Sequence, residues 1–67
     1  MSALLEQNQA VRQGIVLQIV LQLERELGKP PAHPMAVRRL ADTVARRIAG
    51  EEWRILADRA IYQWQLG

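Results

Sequence analysis

The chain has 67 residues, no cysteine and a formal net charge of +2. A chain of this length forms one domain at most, and it buries only about 60% of its unfolded surface, so it is marginally stable alone. Small proteins compensate with disulfides, a metal or oligomerisation. The missing cysteines exclude disulfides and thiolate zinc sites, and a single histidine, His33, excludes all-histidine sites. Oligomerisation is the means that remains.

The first predicted helix spans residues 3–27, between an N-cap at Ser2 and a terminating glycine at Gly28. At about 100° per residue its central part is apolar on nearly every side, and Leu17 and Leu21 form a second, narrower stripe. The broad stripe consists of Ile15, Val16, Ile19, Val20, Leu23 and Leu27. A helix that is apolar all round is buried. Because so short a chain has no large core, we expect this stripe to pair with a second copy.

Three polar residues and one glycine bear on whether this segment is a helix and on what it packs against. The β-branched residues of 15–23 also fit a buried strand, but Gln18, Gln22 and Glu26 recur every four residues, which favours a helix. The two glutamines either face water, which we favour, or are buried amides that fix the register of a helix pair. Gly14 costs up to about 1 kcal/mol relative to alanine, and it leaves room for the close approach of another helix.

A proline-rich linker at 28–33 leads to a second predicted helix over 34–49, with Pro34 at its first position. Its apolar face carries Val37, Leu40, Ala41, Val44, Ala45 and Ile48 at helical spacing. Its opposite face carries Arg38, Arg39, Arg46 and Arg47. Three interpretations stay open for these arginines: a solvated face, a contact for an acidic protein, and a contact for nucleic acid. Asp42 lies four residues from Arg38 and Arg46 and partly neutralises them.

The third predicted helix spans 51–65, with Glu51 and Glu52 in its first turn, where acidic charge is favourable. One face consists of Trp53, Leu56, Ala57, Ala60 and Trp64, which predicts core packing. Ile55 and Tyr62, seven residues apart, lie on the opposite face. They form either a contact surface for a partner or part of the same homo-oligomeric interface.

The prediction is therefore a single all-α domain over 1–67, most simply a homodimeric helical bundle. The first helix is about 38 Å long and the other two about 24 Å each, and we expect that a compact monomer cannot reconcile these lengths. The longest apolar stretch is far below the roughly 20 residues that span a bilayer, and no signal-peptide pattern opens the chain. A cytoplasmic location without membrane contact is the expectation.

Catalytic groups are scarce. Ser2, Thr43 and His33 are the candidates for nucleophile and base, and nothing in the sequence brings them together. Glu51 and Glu52 point about 100° apart on a helix, and no glycine-rich phosphate loop is present. We therefore expect no enzyme activity, no cofactor, no metal and no small-molecule substrate.

The expected function is a small interaction or regulatory module that self-associates through its first helix and binds another macromolecule, most simply a protein. The alternative is a dimeric nucleic-acid-binding regulator that uses the four arginines of the second helix. In a third class, a structural subunit, the first helix packs on a different chain.

Overall fold

The computed structural model describes the backbone from Ala3 to Gly67 and the side chains from Asn8 onwards. Helix α1 spans Ala3–Leu27, α2 spans Pro34–Ile48 and α3 spans Trp53–Leu66, and a short 3₁₀ turn at Gly50–Glu52 precedes α3. The predicted three-helix, all-α fold is confirmed, and the alternative of a strand at 15–23 is wrong. The N-cap predicted at Ser2 lies outside the described residues.

The linker between α1 and α2 ends one helix at Gly28 and opens the next at Pro34, as the sequence predicts. Gly28 adopts a left-handed φ of 76°, and its N–H donates to the carbonyl of Glu24 at 2.9 Å, which closes α1. His33 caps α2, because its Nδ1 accepts a hydrogen bond from the Met35 N–H at 3.1 Å. Pro34 opens α2, where its missing N–H costs nothing.

The connection between α2 and α3 differs from the prediction. Gly50 adopts a left-handed φ of 61°, and the residues expected to start the third helix form the 3₁₀ turn instead. Glu52 stands at the N-cap of α3, yet its side chain makes no capping hydrogen bond. Both its carboxylate oxygens accept hydrogen bonds from Arg12 of α1, at 3.0 and 2.6 Å. The Glu52 carboxylate, which the sequence assigned to the first turn of the third helix, therefore forms a tertiary ion pair with Arg12 instead.

Two contacts at opposite ends fix the topology. Arg12 meets Glu52 just before α3 begins, and the Trp64 indole N–H donates to the carbonyl of Gly28 at 2.8 Å, near the end of α3. Helices α1 and α3 therefore run parallel, and α2 returns between them in the opposite direction. The result is an up-down-up bundle of three helices.

All three helices contribute to one apolar core, and no described polar or charged side chain is buried. The buried residues are Val16, Ile19, Val20 and Leu23 from α1, Val37, Ala41, Val44 and Ala45 from α2, and Leu56, Ala57, Ala60 and Trp64 from α3. The faces predicted for the second and third helices are confirmed except at Ile48, which is exposed. Leu40 and Trp53 are half-buried at the edge of the core.

The expectation that a single copy cannot cover the broad stripe of α1 is wrong. Val16, Ile19 and Leu23 are at most 2% exposed within one chain, and Val20 is 8% exposed. Ile15 and Leu27 pack against the same core. Of the six residues predicted for self-association, four lie in the core of their own chain and two pack against it, so in this fold neither a second copy nor a foreign chain is needed to bury the stripe.

The length mismatch between the helices is resolved by an overhang, residues 3–11, which precedes the Arg12 contact. The side chains of residues 8–11 are all exposed. Residues 12–27 match the lengths of α2 and α3, and the longest dimension of the molecule, 42 Å, is close to the roughly 38 Å of α1. The predicted mismatch in helix lengths disappears because not all of α1 is packed against α2 and α3.

Four alanines explain how two short helices enclose α1. Ala41, Ala45, Ala57 and Ala60 have no exposed surface. Because alanine is short, a fully buried alanine requires neighbouring atoms to approach the helix backbone closely.

Within the described residues, no helix is long and apolar enough to cross a membrane.

Truncation of a core residue tests this packing. We expect Ile19→Ala to lower the free energy of unfolding by about 2–5 kcal/mol, because the side chain has no exposed surface and leaves a cavity. Leu66→Ala removes the same number of carbons from a side chain that is 71% exposed, and we expect a change within about 0.5 kcal/mol. Urea unfolding followed by circular dichroism measures both, and equal losses would contradict the described core.

Candidate interaction surfaces

The structure does not bring the predicted nucleophile and base candidates together. Thr43 and His33 lie about 15 Å apart along α2 at the helical rise, and Ser2 lies outside the described residues. The Thr43 hydroxyl donates to the carbonyl of Arg39 at 2.7 Å, and His33 Nδ1 is used by the cap of α2. Among the described residues no group of three histidine, cysteine, aspartate or glutamate side chains could hold a metal ion. What the molecule presents instead is a set of surfaces.

Arg38 is held by carboxylates at the junction of α2 and α3. Its Nη2 lies 2.9 Å from Asp42 Oδ1 and 2.8 Å from Asp58 Oδ1. The hydrogen bond to Asp42 is the main cause that raises the pKa of the Arg38 guanidinium, against the opposing effect of burial, and Asp58 adds to the increase. Two carboxylates therefore compensate this charge within the chain.

Arg46 also turns toward α3, where it stacks on an aromatic ring. Its guanidinium carbon lies 4.3 Å from the centroid of the Trp53 ring, and that of Arg54 lies 5.2 Å from it. Cations at these distances are attracted to the negative face of an indole. Both arginines are exposed to solvent. The indole ring does not neutralise them as a carboxylate would, so both keep their positive charge.

Arg39 and Arg47 are exposed and form no ion pair with any described residue. Arg39 lines a groove along α2 together with Arg38 and Arg46. Arg47 borders a different groove, between α1 and α2, which it shares with Arg25. Three of the four arginines of the predicted face, Arg38, Arg39 and Arg46, therefore border one groove, and Arg47 lies at another.

A strip of apolar side chains runs along the outside of α3. Ile55, Tyr62 and Leu66 are 58%, 65% and 71% exposed, and their spacing of seven and four residues places them on one line. We call these three residues the outer strip of α3. Ile55 and Tyr62 were predicted at a contact surface from their spacing, and Leu66 was not, although its position four residues after Tyr62 places it on the same line.

The second stripe of α1 is also uncovered. Leu17 and Leu21 are 43% and 56% exposed, on the side of the helix away from the core. Gln18 is exposed, and Gln22 donates to Glu26 at 2.7 Å on the surface. Within one chain Gln18 is therefore exposed and Gln22 half-buried, and neither amide lies in the core.

Comparison with protein-family models, with curated proteins and with solved structures finds no match for this chain.

A double-mutant cycle tests the stacking between α2 and α3. We expect Arg46→Ala and Trp53→Leu to couple by about 0.5–1 kcal/mol in the free energy of unfolding, the usual size of an exposed cation–π contact. The matched cycle of Arg39→Ala with Trp53→Leu should show no coupling, because Arg39 does not contact the ring. Equal coupling in both cycles would mean that the stacking contributes nothing specific.

Proposed function

We propose that this protein is a non-enzymatic interaction module that binds another protein through the outer strip of α3. The observation that carries the proposal is that three large apolar side chains on one line of α3 are more than half exposed. Exposed apolar side chains that adjoin one another mark contact surfaces more often than isolated ones do. Tyrosine is enriched at the centres of protein interfaces and among the residues that dominate their affinity.

The strip has the pattern of a helix that enters a groove. Ile55, Tyr62 and Leu66 span positions i, i+7 and i+11, the anchor spacing of a helix laid in an apolar groove. At the helical rise they cover about 16 Å. Arg59 lies between them in sequence, is exposed, and forms no ion pair with any described residue. The partner that fits is a protein with an apolar groove of this length and a carboxylate at its rim.

Photo-crosslinking in the source cell tests this proposal. A photoreactive phenylalanine derivative in place of Tyr62 should give a covalent adduct with another protein, because an interface centre brings the partner within reach. The same substitution at Arg39, on α2, is the matched control and should give no adduct with that protein. Loss of the adduct when Ile55→Ala and Leu66→Ala are added would assign it to the strip. If position 62 yields no adduct, or only adducts with the chain itself, the proposal fails.

The alternative function is binding to nucleic acid through α2 and its flanks. The observation that favours it is that Arg39 and Arg47 have no described carboxylate partner, while Arg46 and Arg54 are stacked on Trp53 rather than paired. Guanidinium groups of this kind can contact phosphates without first breaking an ion pair. Arg38 is unsuited to this role because Asp42 and Asp58 hold it.

A salt titration decides the alternative. Each phosphate contact should reduce binding to mixed-sequence duplex or RNA by about 0.9 log units per log unit of salt. Arg39→Ala should then lower the slope by about 1, whereas Arg59→Ala, on the outside of α3, should leave it unchanged. If neither duplex nor RNA binds at low salt, this alternative is excluded.

A further inference from the structure

The outer face of α1 is a continuous line that its own chain leaves uncovered. Ala10, Gly14, Leu17 and Leu21 follow one another at intervals of four, three and four residues, which places them on one side of a helix. Ala10, Leu17 and Leu21 are exposed. This side lies opposite Ile19 and Leu23, so it is distinct from the stripe that fills the core.

Gly14 has no role within the chain. A Cβ built there would meet no atom within 4 Å, and the residue does not have a positive φ. Neither the packing nor the backbone of the monomer therefore requires a glycine. In a helix interior it costs up to about 1 kcal/mol relative to alanine. The close approach of a second helix would explain a missing side chain at this position.

The overhang of α1 points to the same surface. The side chains of residues 8–11 are exposed, and a short helical segment without tertiary packing is marginal in water. A partner on the outer face would extend across both Leu21 and the overhang, because Ala10 and Leu21 lie at opposite ends of the same line.

We infer that a second copy of this chain covers the outer face, with the two α1 helices antiparallel. A two-fold axis at the middle of segment 10–21 places Leu17 level with Gly14 of the second copy, and Leu21 level with Ala10 of the second copy. Each large side chain then meets a small one, the complementarity that close packing requires. The overhang of each copy lies along the C-terminal half of the other α1. In a parallel pair, glycine would meet glycine and the overhang would meet only its counterpart.

This inference does not depend on the proposed role of α3, because it uses a different helix. An interface of one helix pair is small, so we expect association over about 10 μM to 1 mM. Sedimentation equilibrium over that range should show a monomer–dimer equilibrium. Leu17→Glu should weaken the dimer more than about tenfold, since it places a charge in the contact. Ile55→Glu, at an exposed apolar position on α3, is the matched control and should leave the equilibrium unchanged.

Gly14→Ala separates this inference from simple helix stabilisation. Alanine favours the helix, so the variant should unfold at a higher urea concentration when monomeric. It should nevertheless dissociate more readily, because the added methyl group occupies the space for Leu17 of the second copy. A variant that is more stable and equally dimeric would contradict the close approach at Gly14.

Introduced cysteines test the orientation, since the native chain has none. Oxidation of the double variant Ala10→Cys/Leu21→Cys should give covalent dimers, because these positions lie opposite each other across the antiparallel pair, within the reach of a disulfide. Leu21→Cys alone should not, because its two copies are about 16 Å apart along the axis at the helical rise. Crosslinking by Leu21→Cys alone would show a parallel pair, and a monomeric mass at every concentration would overturn the inference entirely.

Discussion

Close packing through alanine is the constraint on which this structure depends. The chain must enclose an apolar stripe on α1 with only two short helices. Ala41, Ala45, Ala57 and Ala60, all without exposed surface, let those helices approach their neighbours closely enough to do so. A larger side chain at any of these positions would push the helices apart, because overpacked cores shift rather than compress. Because the helices pack this closely, only their outer faces remain exposed and can contact a partner.

The surfaces that remain outside differ in chemistry and lie on different helices. The outer strip of α3 is apolar and contains the only tyrosine of the chain, whereas α2 presents guanidinium groups that differ in how fully they are compensated. Arg38 is bound to Asp42 and Asp58, and Arg46 is stacked on Trp53. A partner that approached α2 would therefore meet a graded surface rather than four equivalent charges.

Local signals predicted the fold well, because they act over a few residues. Gly28, His33 and Pro34 do in the structure what glycine, a capping side chain and proline do at helix ends generally. What failed were inferences that needed distances across the bundle. Glu52 turns to Arg12, forty residues away in sequence. The contacts of Arg38 with Asp58 and of Arg46 with Trp53 are likewise not revealed by spacing within α2. The apolar stripe of α1 is buried as predicted, but by α2 and α3 of its own chain, because helix lengths alone do not reveal how closely helices approach at buried alanines.

The two proposals combine without competing for surface. Pairing through the outer face of α1 would use Gly14, Leu17 and Leu21 and would leave Ile55, Tyr62 and Leu66 exposed on each copy. A dimer would then carry two outer strips of α3, related by the two-fold axis. Two linked binding surfaces raise the apparent affinity for a partner that is itself dimeric or repetitive, because the second contact forms within one complex. A small helical domain whose single strip binds weakly would gain useful affinity in this way without a larger interface.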